Sequence, residues 1–215
     1  MDSDATVHIV DDDPAVRQSM NLLVKSMGLR PQAFASAREF LDQCDGSNPG
    51  CVLLDLRMPG ISGMELLELM DRHKMRLPVI IISAHGDVPT AVRALRGGAL
   101  NFLEKPCRDQ QLWEAIQEAL RHDMQCRREM AQRRKVRSRL ERLTEGECEV
   151  LDRLIEGKPN KEIAAELDLS VRTIEVRRAK LMDKMEAGSL AELVRMTIAA
   201  RPELAAPAQT EVVPA

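Results

Sequence analysis

The sequence predicts a parallel α/β unit of about 120 residues followed by an all-helical unit. Three observations carry that prediction. Short, continuously apolar runs such as residues 51–54 and 78–82 alternate with helical segments, as expected of strands covered on both faces. Acids, a hydroxyl and a lysine stand at the ends of these runs: Asp11, Asp12 and Asp13, then Asp55, Ser83 and Lys105. In an open α/β sheet such strand ends converge on one crevice. Finally, the last third of the chain is helical, rich in arginine and patterned as a helix-turn-helix.

Composition sets the outer bounds. At 215 residues the chain accommodates two domains, and 44% apolar content supports ordinary cores. With no Tyr, one Trp and three Phe, those cores are aliphatic. Residues 1–120 carry 12 Lys/Arg against 17 Asp/Glu, whereas residues 121–215 carry 19 against 17. Positive charge concentrates at Arg172, Arg177, Arg178, Lys180 and Lys184. The five cysteines form no CxxC pair and read as reduced structural thiols in a cytoplasmic protein. No apolar run reaches membrane-spanning length, so no membrane association is expected.

Taken in order, residues 7–10 read as a strand. Asp13-Pro14 opens a helix that ends near Gly28, with Asp13 as its cap. A short strand at 32–35 and a helix at 36–41 follow. Residues 51–54 form a central strand, 59–63 a loop and 64–71 a helix. Strand 78–82, helix 89–96, strand 100–102 and helix 109–122 complete five strands and five helices. Residues 121–142 hold nine basic residues against three acidic, without Pro or Gly, and predict an extended helical linker. Its heptad seam is poor. Beyond it, helices are expected at 147–155, at 161–167 capped by Asn160, at 171–185 capped by Ser170, and from Ser189 to about 199. The Pro- and Ala-rich residues 201–215 have no periodic face and predict a disordered tail.

The first unit resembles the receiver domain of two-component response regulators, closest to the FixJ/StyR-like group. The resemblance covers residues 5–120, in a domain bounded at 1–120, and includes Asp55-Leu56-Arg57-Met58-Pro59-Gly60 and His85-Gly86-Asp87-Val88-Pro89. It implies a flavodoxin-like (β/α)5 fold. It also implies that Asp55 is the phosphoacceptor, Ser83 the switch hydroxyl, Lys105 the family lysine and Phe102 the switch aromatic. Lys105-Pro106 would be a cis peptide. Mg²⁺ is the implied cofactor, held by Asp12, Asp55 and the Arg57 backbone carbonyl, with Asp11 acting through water. Oxygen donors suit that ion. Metal and Lys105 together draw charge from the transferring phosphoryl group. The implied chemistry is gain and slow loss of the protein's own phosphate, not catalysis on an external substrate. His85 reads as a loop feature.

The second unit is bounded at 143–200, and its residues 143–196 resemble the LuxR-type helix-turn-helix domain, a four-helix unit. The match runs through Leu143-Thr144, Glu147, Glu149-Val150-Leu151, Gly157 and Asn160-Lys161-Glu162-Ile163-Ala164. It continues through Arg172-Thr173-Ile174-Glu175-Val176, Arg178 and Lys184-Met185. The resemblance makes 171–185 the recognition helix and gives Glu175 and Val176 base-edge roles. Lys161, Thr173, Arg178 and Lys184 are implied phosphate contacts, with Arg172 able to do either. Two positions depart from the family: Gly146 stands where Arg is usual. Arg177 stands where His is frequent and adds fixed charge to the DNA-facing set.

Together these resemblances imply a transcriptional response regulator, an activator, phosphorylated by a sensor histidine kinase. Phosphorylation would pair receivers through residues 88–102, and the homodimer would bind a two-part duplex operator and engage RNA polymerase. Two other readings stay open at this point. The terminal helices could bind a protein partner instead of DNA, or the first unit could hydrolyse an external phosphate ester.

Overall fold

The alternation of apolar and amphipathic segments resolves, in a computed structural model describing residues 5–84 and 87–201, into two compact units meeting between Arg127 and Arg128. In chain order the first contains β1 (Thr6–Val10), α1 (Pro14–Ser26), β2 (Arg30–Phe34), α2 (Ala37–Gln43), β3 (Gly50–Leu54) and α3 (Gly63–Arg72). These are followed by β4 (Val79–Ser83), α4 (Val88–Arg96), β5 (Asn101–Glu104) and the start of α5 (Asp109–Leu140). All strand pairs are parallel, in the order β2-β1-β3-β4-β5. This is the flavodoxin-like arrangement, whose order reverses between β1 and β3.

Alternation along each buried strand explains the two cores. Val52 and Leu54 face a cluster with Phe34, Phe40, Leu66, Met70 and Ala94, whereas Cys51 and Leu53 face Val24, Leu112, Ile116 and Ala119. With helices on both faces, β1, β3 and β4 are buried throughout. By contrast, β2 is mostly exposed, and its Pro31 is tolerated because this strand forms an edge of the sheet. The expected strand at 32–35 therefore starts two residues earlier. Asp13 caps α1 as expected, accepting from the Ala15 N–H at 2.8 Å.

The expected linker over 121–142 is divided between the two units. Helix α5 runs without interruption from Asp109 to Leu140, and its two ends are both structural. Asp123 is 2% exposed; it accepts from the Gly50 N–H at 3.0 Å and from Arg127 at 2.7 Å. Arg127 then donates to the carbonyls of Gly46, Ser47 and Asn48. These contacts tie α5 to the turn before β3. Val136, Leu140 and Arg139 are buried in the second unit instead. A charge run that reads as a helical linker holds two buried ionic residues, Asp123 and Arg139, and a partly buried one, Arg127.

The second unit adds α6 (Glu145–Ile155), α7 (Asn160–Glu166), α8 (Val171–Met185) and α9 (Leu190–Ala200). Its core joins Leu151, Leu154, Ile163, Ile174, Leu181, Met185 and Leu193 with Val136 of α5. Arg139 donates to the Met185 carbonyl at 3.0 Å and pairs with Glu186, placing a cation where the carbonyls of α8 end. Ser170 caps α8 as expected, whereas Ser189, expected as the first residue of the last helix, caps α9 instead. Asn160 does not cap α7: the cap position is Pro159, and the Asn160 side chain accepts from Arg178 at 3.1 Å. Arg201 pairs with Asp152 at 3.2 Å, so this first residue of the expected tail is held; residues 202–215 lie outside the described residues, as does His85.

Candidate phosphoryl site and nucleic-acid interface

Sheet pairing carries the backbone into the site. The Asp55 N–H donates to the Val10 carbonyl and the Lys105 N–H to the Ser83 carbonyl, each at 2.9 Å, so these residues continue the ladder past the strand ends. Asp11 follows β1, Asp55 follows β3, Ser83 closes β4 and Lys105 follows β5. The Lys105–Pro106 peptide is cis, as expected. Gly63 permits the close return of the chain after Asp55, because a Cβ there would lie 2.2 Å from the Asp55 carbonyl oxygen.

The Lys105 ammonium donates to Asp11 Oδ2 at 2.6 Å and to Asp55 Oδ1 at 2.7 Å. Each acid is also held at its other oxygen. Asp11 Oδ1 accepts from the Asp13 N–H at 2.9 Å, and Asp55 Oδ2 from the Arg57 N–H at 2.6 Å. Asp11, Asp55 and Ser83 are buried, whereas Asp12 is exposed beside them. Burial works against the Lys105 charge, but hydrogen bonds and attraction from Asp11 and Asp55 outweigh it and raise its pKa above the ordinary lysine value. A fixed cation thus joins two buried carboxylates that would otherwise repel.

These acids also suit a hard divalent cation. Among the described residues no three Asp, Glu, His or Cys side chains gather into a complete metal cage. Mg²⁺ does not need one, since it binds through one or two carboxylates together with water and phosphate oxygens. A cleft beside Leu56 and Arg57, the residues after Asp55, is lined also by Met64, Ser83, Asp87, Thr90 and Arg93. Phe102 is half-buried against the adjoining core. On the outer side of α4, Val88, Val92 and Leu95 form an exposed apolar stripe at helical spacing.

In the second unit, α8 buries Ile174, Leu181 and Met185, and its opposite side exposes Arg172, Glu175, Val176 and Lys180. Lys161 on α7 is exposed too. The other expected contacts have partners inside the unit. Arg178 holds Asn160, and the Thr173 hydroxyl lies 2.7 Å from Ser170 Oγ. Arg177 donates to the Gly146 carbonyl at 3.3 Å and lies 3.7 Å from Glu149. Lys184 donates to Glu147 Oε2 at 2.7 Å and to the Arg142 carbonyl at 3.3 Å. Glu147 is 4% exposed; burial opposes its charge, but Lys184 and the Thr144 N–H outweigh it and keep the carboxyl below the ordinary glutamate range. The sequence alone does not reveal this pair, because Glu147 lies 37 residues from Lys184. Lys180 was visible as charge, and the helical period now adds it to the exposed face.

Comparisons with known proteins agree with this division. Residues 7–117 match the response regulator receiver domain family, and residues 141–197 match the family described as bacterial regulatory proteins, luxR family. The transcriptional regulatory protein FixJ of Bradyrhizobium diazoefficiens is 43% identical over 194 residues, covering 90% of this chain and 95% of FixJ. The response regulator protein TmoT of Ectopseudomonas mendocina is 39% identical over 91% of this chain and 89% of its own length. Among solved structures, the response regulator StyR superposes with a TM-score of 0.80 at 38% identity, covering 90% of this chain and 98% of StyR. Full-length FixJ from B. japonicum gives 0.57 at 42%, covering 92% and 98%. Both domain matches and relatives aligned along nine-tenths of the sequence place the chain in the FixJ/StyR-like response regulators, phosphorylation-activated transcription regulators joining a receiver to a LuxR-type DNA-binding domain.

Proposed function

We propose that Asp55 of this cytoplasmic protein receives the phosphoryl group from a sensor histidine kinase and that the acyl phosphate drives receiver pairing and operator binding. The observation that carries this reading is the Lys105 bridge between Asp11 and Asp55 at neighbouring strand ends. Asp55 attacks phosphorus in line, the bond to the kinase imidazole nitrogen breaks, and the imidazole leaves. Lys105 then has a phosphoryl oxygen, instead of a bare carboxylate, to neutralise. Mg²⁺ would be held by Asp12, Asp55 and the Arg57 carbonyl, where it would neutralise phosphoryl charge. Asp11 would act on the ion through water. Slow self-dephosphorylation resets the switch.

The buried Ser83 hydroxyl bonds a phosphoryl oxygen, and its movement into the cleft makes room for Phe102 to turn inward. That repacking alters α4 and β5, and Val88, Val92 and Leu95 provide the apolar surface for a homodimer. Paired second units then engage a two-part operator and RNA polymerase as an activator. Incubation with acetyl phosphate and Mg²⁺, followed by intact-mass and sedimentation measurements, tests both steps. One added phosphoryl group and a dimer, both abolished by Asp55→Ala, are the expected results. A phosphorylated chain that stays monomeric overturns the pairing step; phosphorylation that persists in Asp55→Ala overturns the acceptor.

A further inference from the structure

Gly146 and Arg177, singled out in the sequence as departures from the LuxR-type pattern, meet in space. Gly146 lies in the first turn of α6 and Arg177 in the middle of α8. The Arg177 guanidinium lies over Gly146, donating to its carbonyl at 3.3 Å, and approaches Glu149 at 3.7 Å. A Cβ at residue 146 would sit 2.5 Å from Arg177 Nη1 and 2.6 Å from its Cζ. The glycine is therefore the floor of a socket that the arginine fills. Arg177 is flanking in the period of α8: Ile174 and Leu181 turn inward, while Arg172, Val176 and Lys180 turn outward. Its extended side chain could reach either way, and the socket decides which.

We propose that Gly146 and Glu149 hold Arg177 off the duplex, making residue 146 a determinant of DNA affinity although it touches no DNA. The Arg177 cation is thereby engaged within the unit, by the Gly146 carbonyl and by Glu149. Phosphate binding falls to Arg172, Lys180 and Lys161, and non-specific affinity is held down. Any side chain at 146 displaces the guanidinium from its place over the glycine, because the obstructing atoms are the far end of a flexible chain and not backbone. Released, it adds one phosphate contact, and each such contact steepens the salt dependence of duplex affinity by about 0.9 log units per decade.

The proposal rests on the DNA-binding reading, and the experiment separates the two. Binding of the full-length chain to a mixed-sequence 30-base-pair duplex is measured by fluorescence anisotropy between 20 and 200 mM NaCl. Arg172→Ala serves as the DNA-face control. Arg177→Ala is expected to leave the salt slope unchanged, whereas Gly146→Ala and Glu149→Gln steepen it by about one contact. The ratio of affinities at the two salt limits then grows about eightfold. Adding Arg177→Ala to either variant returns the slope to that of the unaltered chain, which separates release of the arginine from mere loss of the Glu149 charge. A flatter slope in Arg177→Ala alone overturns the proposal, as does an unchanged slope in Gly146→Ala or a steepened one that survives removal of Arg177. If the unaltered chain shows no salt-dependent binding, and Arg172→Ala changes nothing, the DNA reading itself falls and the socket proposal with it.

Discussion

The two units handle charge in opposite ways. In the receiver, groups from three distant strand ends are brought together and buried: Lys105, Asp11 and Asp55 have side chains only 19%, 7% and 10% exposed. In the DNA-binding domain, cations lie close together on one helix and are sorted outward or inward by the acids around them. Phosphoryl transfer needs charge fixed in place before the reaction, so desolvation is accepted where the geometry compensates it. Duplex binding needs exposed cations that can displace the counterions condensed on DNA phosphates. Positive charge on α8 that is already paired has to give up an internal partner before it can meet a phosphate.

Removing the receiver cation should break this contrast most severely. Lys105→Met leaves two buried carboxylates facing one another and withdraws the charge that meets the incoming phosphoryl group. We expect phosphorylation of Asp55 by acetyl phosphate to slow on the order of 10²–10³-fold. Stopped-flow or mass measurements at fixed Mg²⁺ would show it, and a rate within threefold of the unaltered protein would remove Lys105 from the chemistry.

The next effect concerns acid stability. His8 is 5% exposed among Phe34, Phe40 and Cys44, and burial pushes its pKa down to about 4. Its unfolded form binds a proton below about pH 6.5 while the folded form does not, so receiver stability declines as pH falls from 6.5 towards 4. The decline attributable to His8 is on the order of 3 kcal/mol. Urea titrations across that range should reveal it, and His8→Leu should flatten the slope; an equally steep slope in the variant would assign the acid sensitivity elsewhere.

In the DNA-binding domain, Lys184→Met strands the buried Glu147 carboxylate and should cost about 2 kcal/mol. Because Glu147 has a depressed pKa, the contribution it makes in the unaltered chain is present above the unfolded glutamate pKa and disappears as pH falls through the folded one. Thermal unfolding of this domain at neutral and acid pH distinguishes that structural role from DNA contact: a variant with unchanged stability and weakened duplex binding would return Lys184 to the interface. The smallest effect is expected from Arg172→Ala, an exposed residue. It should leave stability within about 0.5 kcal/mol and flatten the salt slope of DNA binding by about 0.9.

The same contrast explains what was legible in the sequence. Asp11, Asp55, Ser83 and Lys105 were readable because each follows or ends a recognisable apolar run and a parallel sheet brings such ends together. Helix α8 was readable from Ser170 to Met185 because capping and period are local. The pairing of charges was not. Asp123 meets Gly50 across 73 residues, Arg127 meets Asn48 across 79, and Arg139 meets Met185 across 46. Nothing in the composition of residues 121–142 separates those inward residues from their solvated neighbours, so the segment read as a linker. Asn160 misled for a related reason: it is a favourable capping residue, but its oxygen is taken by an arginine 18 positions later.

The central claim is that phosphate on Asp55 is transmitted to the DNA-binding domain. Binding to genomic DNA fragments, compared between the unmodified protein, the protein phosphorylated in Mg²⁺ and Asp55→Ala treated identically, tests it most directly. We predict discrete sites bound more tightly after phosphorylation, with no such response in Asp55→Ala. Equal site-specific affinity in all three samples would contradict the account.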